Sequence, residues 1–116
     1  MNCLIFDEGE FRFGIAIDNI ERIVDVEGKI YPLPLLPNYV SGFMNFQGRV
    51  ITIIDLSTFF QIENNVRGGF LLISNKMKHI GYLVKKIEGF VDIEDVKIKD
   101  AEMFNIDNGR KEYIRY

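Results

Sequence analysis

The chain has 116 residues, a formal net charge of -3 and a pI near 5.1. That length holds one domain, and a hydrophobic fraction of 47% suits a globular core. The acidic balance argues against a nucleic-acid footprint, which needs a clustered basic face. No apolar run reaches the roughly 18 residues of a membrane span. No basic segment leads into an apolar one at the N-terminus, so no secretory signal is expected, and the single cysteine, Cys3, points to a reducing, cytoplasmic compartment.

Taken in order, Cys3 to Phe6 is a short apolar strand and Asp7 to Glu10 a polar turn. Phe11, Phe13, Ile15 and Ile17 then recur with a period of two, which predicts a second strand and a hairpin. Asp18 followed by Glu21 fits a capping box, so a helical turn is expected over Asn19 to Arg22. Ile23 to Val26 returns to strand, and Glu27-Gly28 turns again. All three prolines fall between Pro32 and Pro37. Each fixes φ and lacks an N–H, so this stretch is an extended connector and not a central strand.

The connector delivers the chain to its central stretch, Asn38 to Phe60. Ser41 to Phe46 and Arg49 to Ile54 read as two strands, with Gln47-Gly48 as the turn and Gly48 taking the positive φ. The second strand runs Val50, Ile51, Thr52, Ile53, Ile54, which is too apolar for one wet face and predicts burial on both. Asp55 is placed to cap a helical turn from Leu56 to Phe60. Asn64 to Gly69 is the most loop-like segment. Phe70 to Ser74 and His79 to Val84 are strands around a turn at Asn75 to Met77, Ile87 to Ile93 holds a short turn and strand, and the signal weakens beyond Asp100. No segment supports a helix longer than about two turns, so the reading is all-β with many short strands.

Catalytic chemistry finds little support. Cys3 and His79 fall in separate strands without a third partner, and a buried thiol and a strand histidine explain them better than a nucleophile and base. No Cys/His pair has metal-ligand spacing, the glycines form no phosphate-binding pattern, and neither metal nor cofactor is expected. Ten Phe and five Tyr are many for this length, and any left on a solvent-facing strand would mark a protein-binding patch.

Three segments carry a family resemblance. The first is Leu4-Ile5-Phe6, a turn, Phe13 to Ile17 and Ile20-Glu21-Arg22-Ile23; the second runs from Pro37 to Leu56; the third is His79 to Val84 with Ile87 and Val91-Asp92-Ile93. In this order they resemble the CheW-like domain family, whose central pattern is a proline, then Gly-Val-Ile-Asn-x-Arg-Gly, then a β-branched strand ending in Asp-Leu. The central segment is the specific one.

The resemblance implies an all-β fold of two interlocked, SH3-like, five-stranded β-barrels in a single domain over 1–116, its intertwined parts dividing near residue 36 into 1–36 and 37–116. It implies no enzyme. The family works as a chemotaxis adaptor holding a CheA-like histidine kinase and chemoreceptor cytoplasmic tips together. Its partner-binding residues carry over to Ile20, Arg22, Asn45, Gln47, Gly48 and Arg49. Gln47 stands where the family has Arg, Arg22 replaces a common acidic residue, and Arg49 offers a substitute cation. Glu112-Tyr113-Ile114 resembles the start of the family's second Gly-Val hairpin, so the second barrel is expected to lack about two strands, leaving an edge that a homo-oligomer would close. Outside chemotaxis, the alternative readings are a small-barrel nucleic-acid binder or another interaction module, and a small hydrolase or redox protein.

Overall fold

The computed structural model describes residues 1–26, 30–32, 34–63, 69–94, 102–107 and 110–114. The expected turn at Glu27-Gly28, most of the expected loop at Asn64 to Gly69, and Arg115 and Tyr116 lie outside the described residues. The strands are β1 (Asn2–Glu8), β2 (Phe11–Ala16), β3 (Ile20–Asp25), β4 (Val40–Phe46), β5 (Arg49–Asp55), β6 (Phe70–Ser74), β7 (Ile80–Val84), β8 (Lys86–Asp92), β9 (Met103–Asp107) and β10 (Arg110–Ile114); an α-helical turn, α1, is Leu56–Phe59.

These strands form two five-stranded sheets, ordered β10-β9-β2-β1-β8 and β3-β6-β7-β5-β4. The first draws on both ends of the chain, 2–16 with 86–114, and the second on its middle, 20–84. Pairing is antiparallel except between β5 and β7, where Thr52 to Asp55 run parallel to Ile80 to Leu83. A parallel pair needs a crossover, and here α1 and β6 supply it.

The expected shortfall of strands does not occur. β9 and β10 complete the first sheet, with β9 on β2 through Arg12–Ile106 and Gly14–Phe104. The segment was weak in sequence because, among its described residues, the core contribution comes from Met103 and Phe104, with Ile106 partly buried beside them. Gly14 makes that contribution possible: the Phe104 ring occupies the space a β-carbon on Gly14 would need.

Three apolar clusters explain why several strands are apolar on both faces. Between the sheets, Leu4, Phe6, Phe13 and Ile15 meet Ile54, Leu72, Tyr82 and Val84, with Leu56 of α1 and Met103. Inside the second sheet, Met44, Ile51, Ile53, Leu71, Ile73 and Leu83 pack with Val26. Inside the first, Cys3, Ile5 and Ala16 pack with Phe104. Alternate residues of β1 and β6 therefore enter different clusters, as the period of a strand requires. β5 does this only at its end. Ile51 and Ile53 enter one cluster and Ile54 the other, but Val50 is 56% exposed and Thr52 only half-buried. The expected burial on both faces is thus limited to Ile54, because the first sheet does not reach the start of β5.

Buried polar groups tie the sheets together. Ser74 Oγ donates to Glu102 Oε1 at 3.0 Å and accepts from the Met77 N–H, linking the β6–β7 turn to the segment entering β9. Glu8, fully buried on β1, accepts from the Lys85 N–H between β7 and β8 at 3.2 Å. Both satisfy the rule that a buried carboxylate keeps a hydrogen-bond partner.

Candidate protein-binding site

The β4–β5 hairpin closes in two residues, and both have positive φ, 51° at Gln47 and 79° at Gly48. A two-residue turn that follows the strand twist needs both in the left-handed region. Sequence reasoning placed that demand on Gly48 alone. Gln47 tolerates it because Asn45 closes the turn from within: its Oδ1 accepts the Gly48 N–H at 3.0 Å. Asn45, Gln47 and Gly48 are all exposed at the tip. At the base, Asp55 behaves as expected, its carboxylate accepting from Ser57 N at 3.1 Å and Ser57 Oγ at 2.6 Å at the start of α1.

The expected capping box does not form. A single 3-10 turn covers Ile17 to Asn19, its N-cap is Ala16 without a side-chain bond, and Ile20 already belongs to β3. Glu21 is used elsewhere. It pairs bidentately with Arg49, through Nη1 to Oε1 at 3.1 Å and Nη2 to Oε2, and Lys78 Nζ reaches Oε1 at 3.2 Å. The hydrogen bonds from Arg49 and then Lys78 hold the Glu21 carboxyl far below its ordinary range, at about 2. The Arg49 guanidinium is stabilised in its charged form by the same contact.

Arg22, exposed, places its guanidinium over the Phe46 ring, 5.5 Å from the centroid. Consecutive residues of a regular strand point to opposite faces. Glu21 and Arg22 nonetheless both reach the β4–β5 hairpin. The pairing of β3 with β6 slips between Ile20 and Arg22, leaving Glu21 as the extra residue of a bulge. A bulge re-aims side chains in this way. Because β3 and β4 are opposite edges of their sheet, these contacts also show that the sheet curls until its edges approach.

The structure therefore brings together Arg22, Asn45, Gln47, Gly48 and Arg49, and adds Glu21, Phe46 and Lys78, which sequence reasoning missed. The signal for Glu21 was masked by its capping-box spacing to Asp18. Ile20 does not join them; it packs against the cluster between the sheets. The free edge of β4 is covered by Tyr31, whose N–H and C=O bond the Phe43 C=O and N–H at 2.8 and 2.9 Å.

Catalytic alternatives gain nothing. Cys3 is fully buried on β1, while His79, expected to open its strand, sits exposed in the turn one residue before β7. Among the described residues, no group of three His, Cys, Asp or Glu side chains could hold a metal ion. No helix of the described residues is long and apolar enough to cross a membrane. A cleft of about 550 Å³ lies where the β1–β2 turn meets the segment after α1, lined by Gly9, Glu10, Phe11, Gln61, Ile62 and Glu63.

Two five-stranded sheets packed on an apolar cluster between them, the second curled so that its edges approach, with an internally hydrogen-bonded hairpin tip exposed at one end, define an all-β domain. The family model of the CheW-like domain matches residues 2–115, and the chain belongs to that family. It is 26% identical over 94 residues to the chemotaxis protein CheW of Thermotoga maritima, a match covering 79% of this chain and 62% of that relative's length. The crystal structure of the scaffolding protein TtCheW from Thermoanaerobacter tengcongensis superposes with a TM-score of 0.76 at 19% identity, covering 97% of this chain and 86% of that one. At that identity the likeness speaks for the fold.

Proposed function

We propose that this chain is a non-enzymatic chemotaxis adaptor that couples chemoreceptor cytoplasmic tips to a CheA-like histidine kinase by protein–protein binding. The observation that carries this reading is the β4–β5 hairpin: its tip is exposed, internally hydrogen-bonded and braced by β3, in a chain of the CheW-like family. A pre-organised edge binds with little ordering cost. Arg22, Asn45, Gln47 and Gly48 form the contact surface, with Arg49 holding β3 to the hairpin behind it and Ile20 supporting β3 from beneath. The binding needs no cofactor and takes place in the cytoplasm.

The test is calorimetry of the purified chain against the regulatory domain of the kinase and the cytoplasmic fragment of a receptor from the same organism. Heat that saturates at micromolar to high-micromolar concentration is expected. Gln47→Arg should change receptor affinity and leave the melting temperature in place, because the side chain points to solvent. Absence of heat with every kinase and receptor fragment of that organism would end the adaptor reading.

A further inference from the structure

Three basic side chains surround the hairpin, and they are not equivalent. Arg49 is spent: both Glu21 oxygens bind it, and its side chain is only 26% exposed. Lys78 shares the same carboxylate. Arg22 alone has no carboxylate partner among the described residues; its contact there is the face of Phe46. A guanidinium lying on an aromatic ring keeps its N–H donors at its rim, available to a bidentate acceptor. The ring also limits the rotamers the side chain would otherwise lose on binding. Phe46 directly precedes the neutral Gln47, so this charge sits beside the tip.

We infer that Arg22 is the partner-reading cation of this edge and receives a carboxylate of the partner protein, while Arg49 is a structural residue that holds β3 to the hairpin. This rests on the adaptor reading above and deepens it: the partner surface that meets the tip is acidic. The bulge at Glu21 makes the division possible. It aims adjacent residues of opposite charge at the same hairpin, one to be neutralised there and one to stay free. A charge-assisted, bidentate guanidinium–carboxylate contact of this kind is worth about ten- to a hundredfold in affinity.

The experiment has two arms. In the first, the arginine Nε–Hε resonances of the intact chain are followed by NMR while a blocked repeat peptide of glutamate and alanine is added, with its glutamine counterpart as control. The Arg22 resonance should move with the glutamate peptide only, and that of Arg49 should stay. In the second, the receptor fragment and kinase domain are titrated with wild type, Arg22→Gln, Arg22→Lys and Arg49→Gln. Arg22→Gln should lose about ten- to a hundredfold in affinity at unchanged melting temperature, Arg22→Lys should recover part of it, and Arg49→Gln should lower the melting temperature while keeping the affinity of the folded protein. An Arg22 resonance that is silent, or that responds equally to both peptides, overturns the inference, as does an affinity loss confined to Arg49→Gln. If Arg22 responds to glutamate but wild type binds neither protein fragment, the carboxylate site stands and the adaptor reading falls.

Discussion

Gly42 and Gly48 both have positive φ, 144° and 79°, yet an alanine should cost very different amounts at the two. At Gly48 the added β-carbon meets nothing within 4 Å. Only the left-handed backbone is strained, at about 1 kcal/mol once the lower entropy of the unfolded alanine chain is counted. At Gly42 the β-carbon would overlap the Tyr31 carbonyl oxygen, with Pro32 close behind. That oxygen accepts the Phe43 N–H, so the strand must release Tyr31 and lose both bonds of the bridge. Two backbone hydrogen bonds at about 1 kcal/mol each, added to backbone strain of about 1–2 kcal/mol, give about 3–4 kcal/mol. At roughly 4 °C per kcal/mol for a domain of this size, Gly48→Ala should melt about 4 °C lower and Gly42→Ala about 12–16 °C lower. Thermal unfolding by circular dichroism measures both. Equal shifts, or a larger one at Gly48, would refute the assignment of Tyr31 as the cover of the β4 edge.

The Glu21 clamp should appear in acid. Its carboxyl is held at about 2 against an ordinary 4.5, so the contribution is full above about pH 5 and disappears as pH falls toward 2. The melting-temperature gap between wild type and Glu21→Gln should accordingly close across that window, and a gap that stays constant would show that the charge is not what matters. Asp55→Ala should cost about 1 kcal/mol through the lost N-cap, with Asp55→Asn nearer wild type, as read by urea denaturation. Along β5, Ile53→Ala should cost about 2–5 kcal/mol because the side chain is fully buried, whereas Val50→Ala should stay within about 0.5 kcal/mol. Similar losses at the two positions would mean that the exposed face of β5 is covered in solution.

Local chemistry made much of the fold legible. A short apolar run placed β1 and alternation β2, the proline cluster marked the connector, and Gln47-Gly48 marked the hairpin turn, because each depends on residues near in sequence. Asp55 was identifiable as a cap for the same reason. The central motif was specific enough to point to the CheW-like family, since its turn, strand and cap demand particular residues at fixed spacing.

Long-range partners were not legible in this way. Whether Val50 or Ile54 is buried depends on how far the other sheet extends, which no window of β5 contains. Met103 and Phe104 make β9 a core strand only because Gly14 leaves room on β2, ninety positions away in the case of Phe104. Glu21 had two chemically reasonable roles, helix cap and ion-pair partner, and the local spacing favoured the cap. The bulge in β3 and the approach of the sheet edges decided for Arg49, 28 residues on, because a carboxylate is held more strongly by two cations than by a backbone N–H. The same bulge left Arg22 free beside the tip. Periodicity and turn chemistry are properties of neighbouring residues and survive in the sequence alone, whereas the allocation of charges across the hairpin depends on distances that exist only after the sheet has curled.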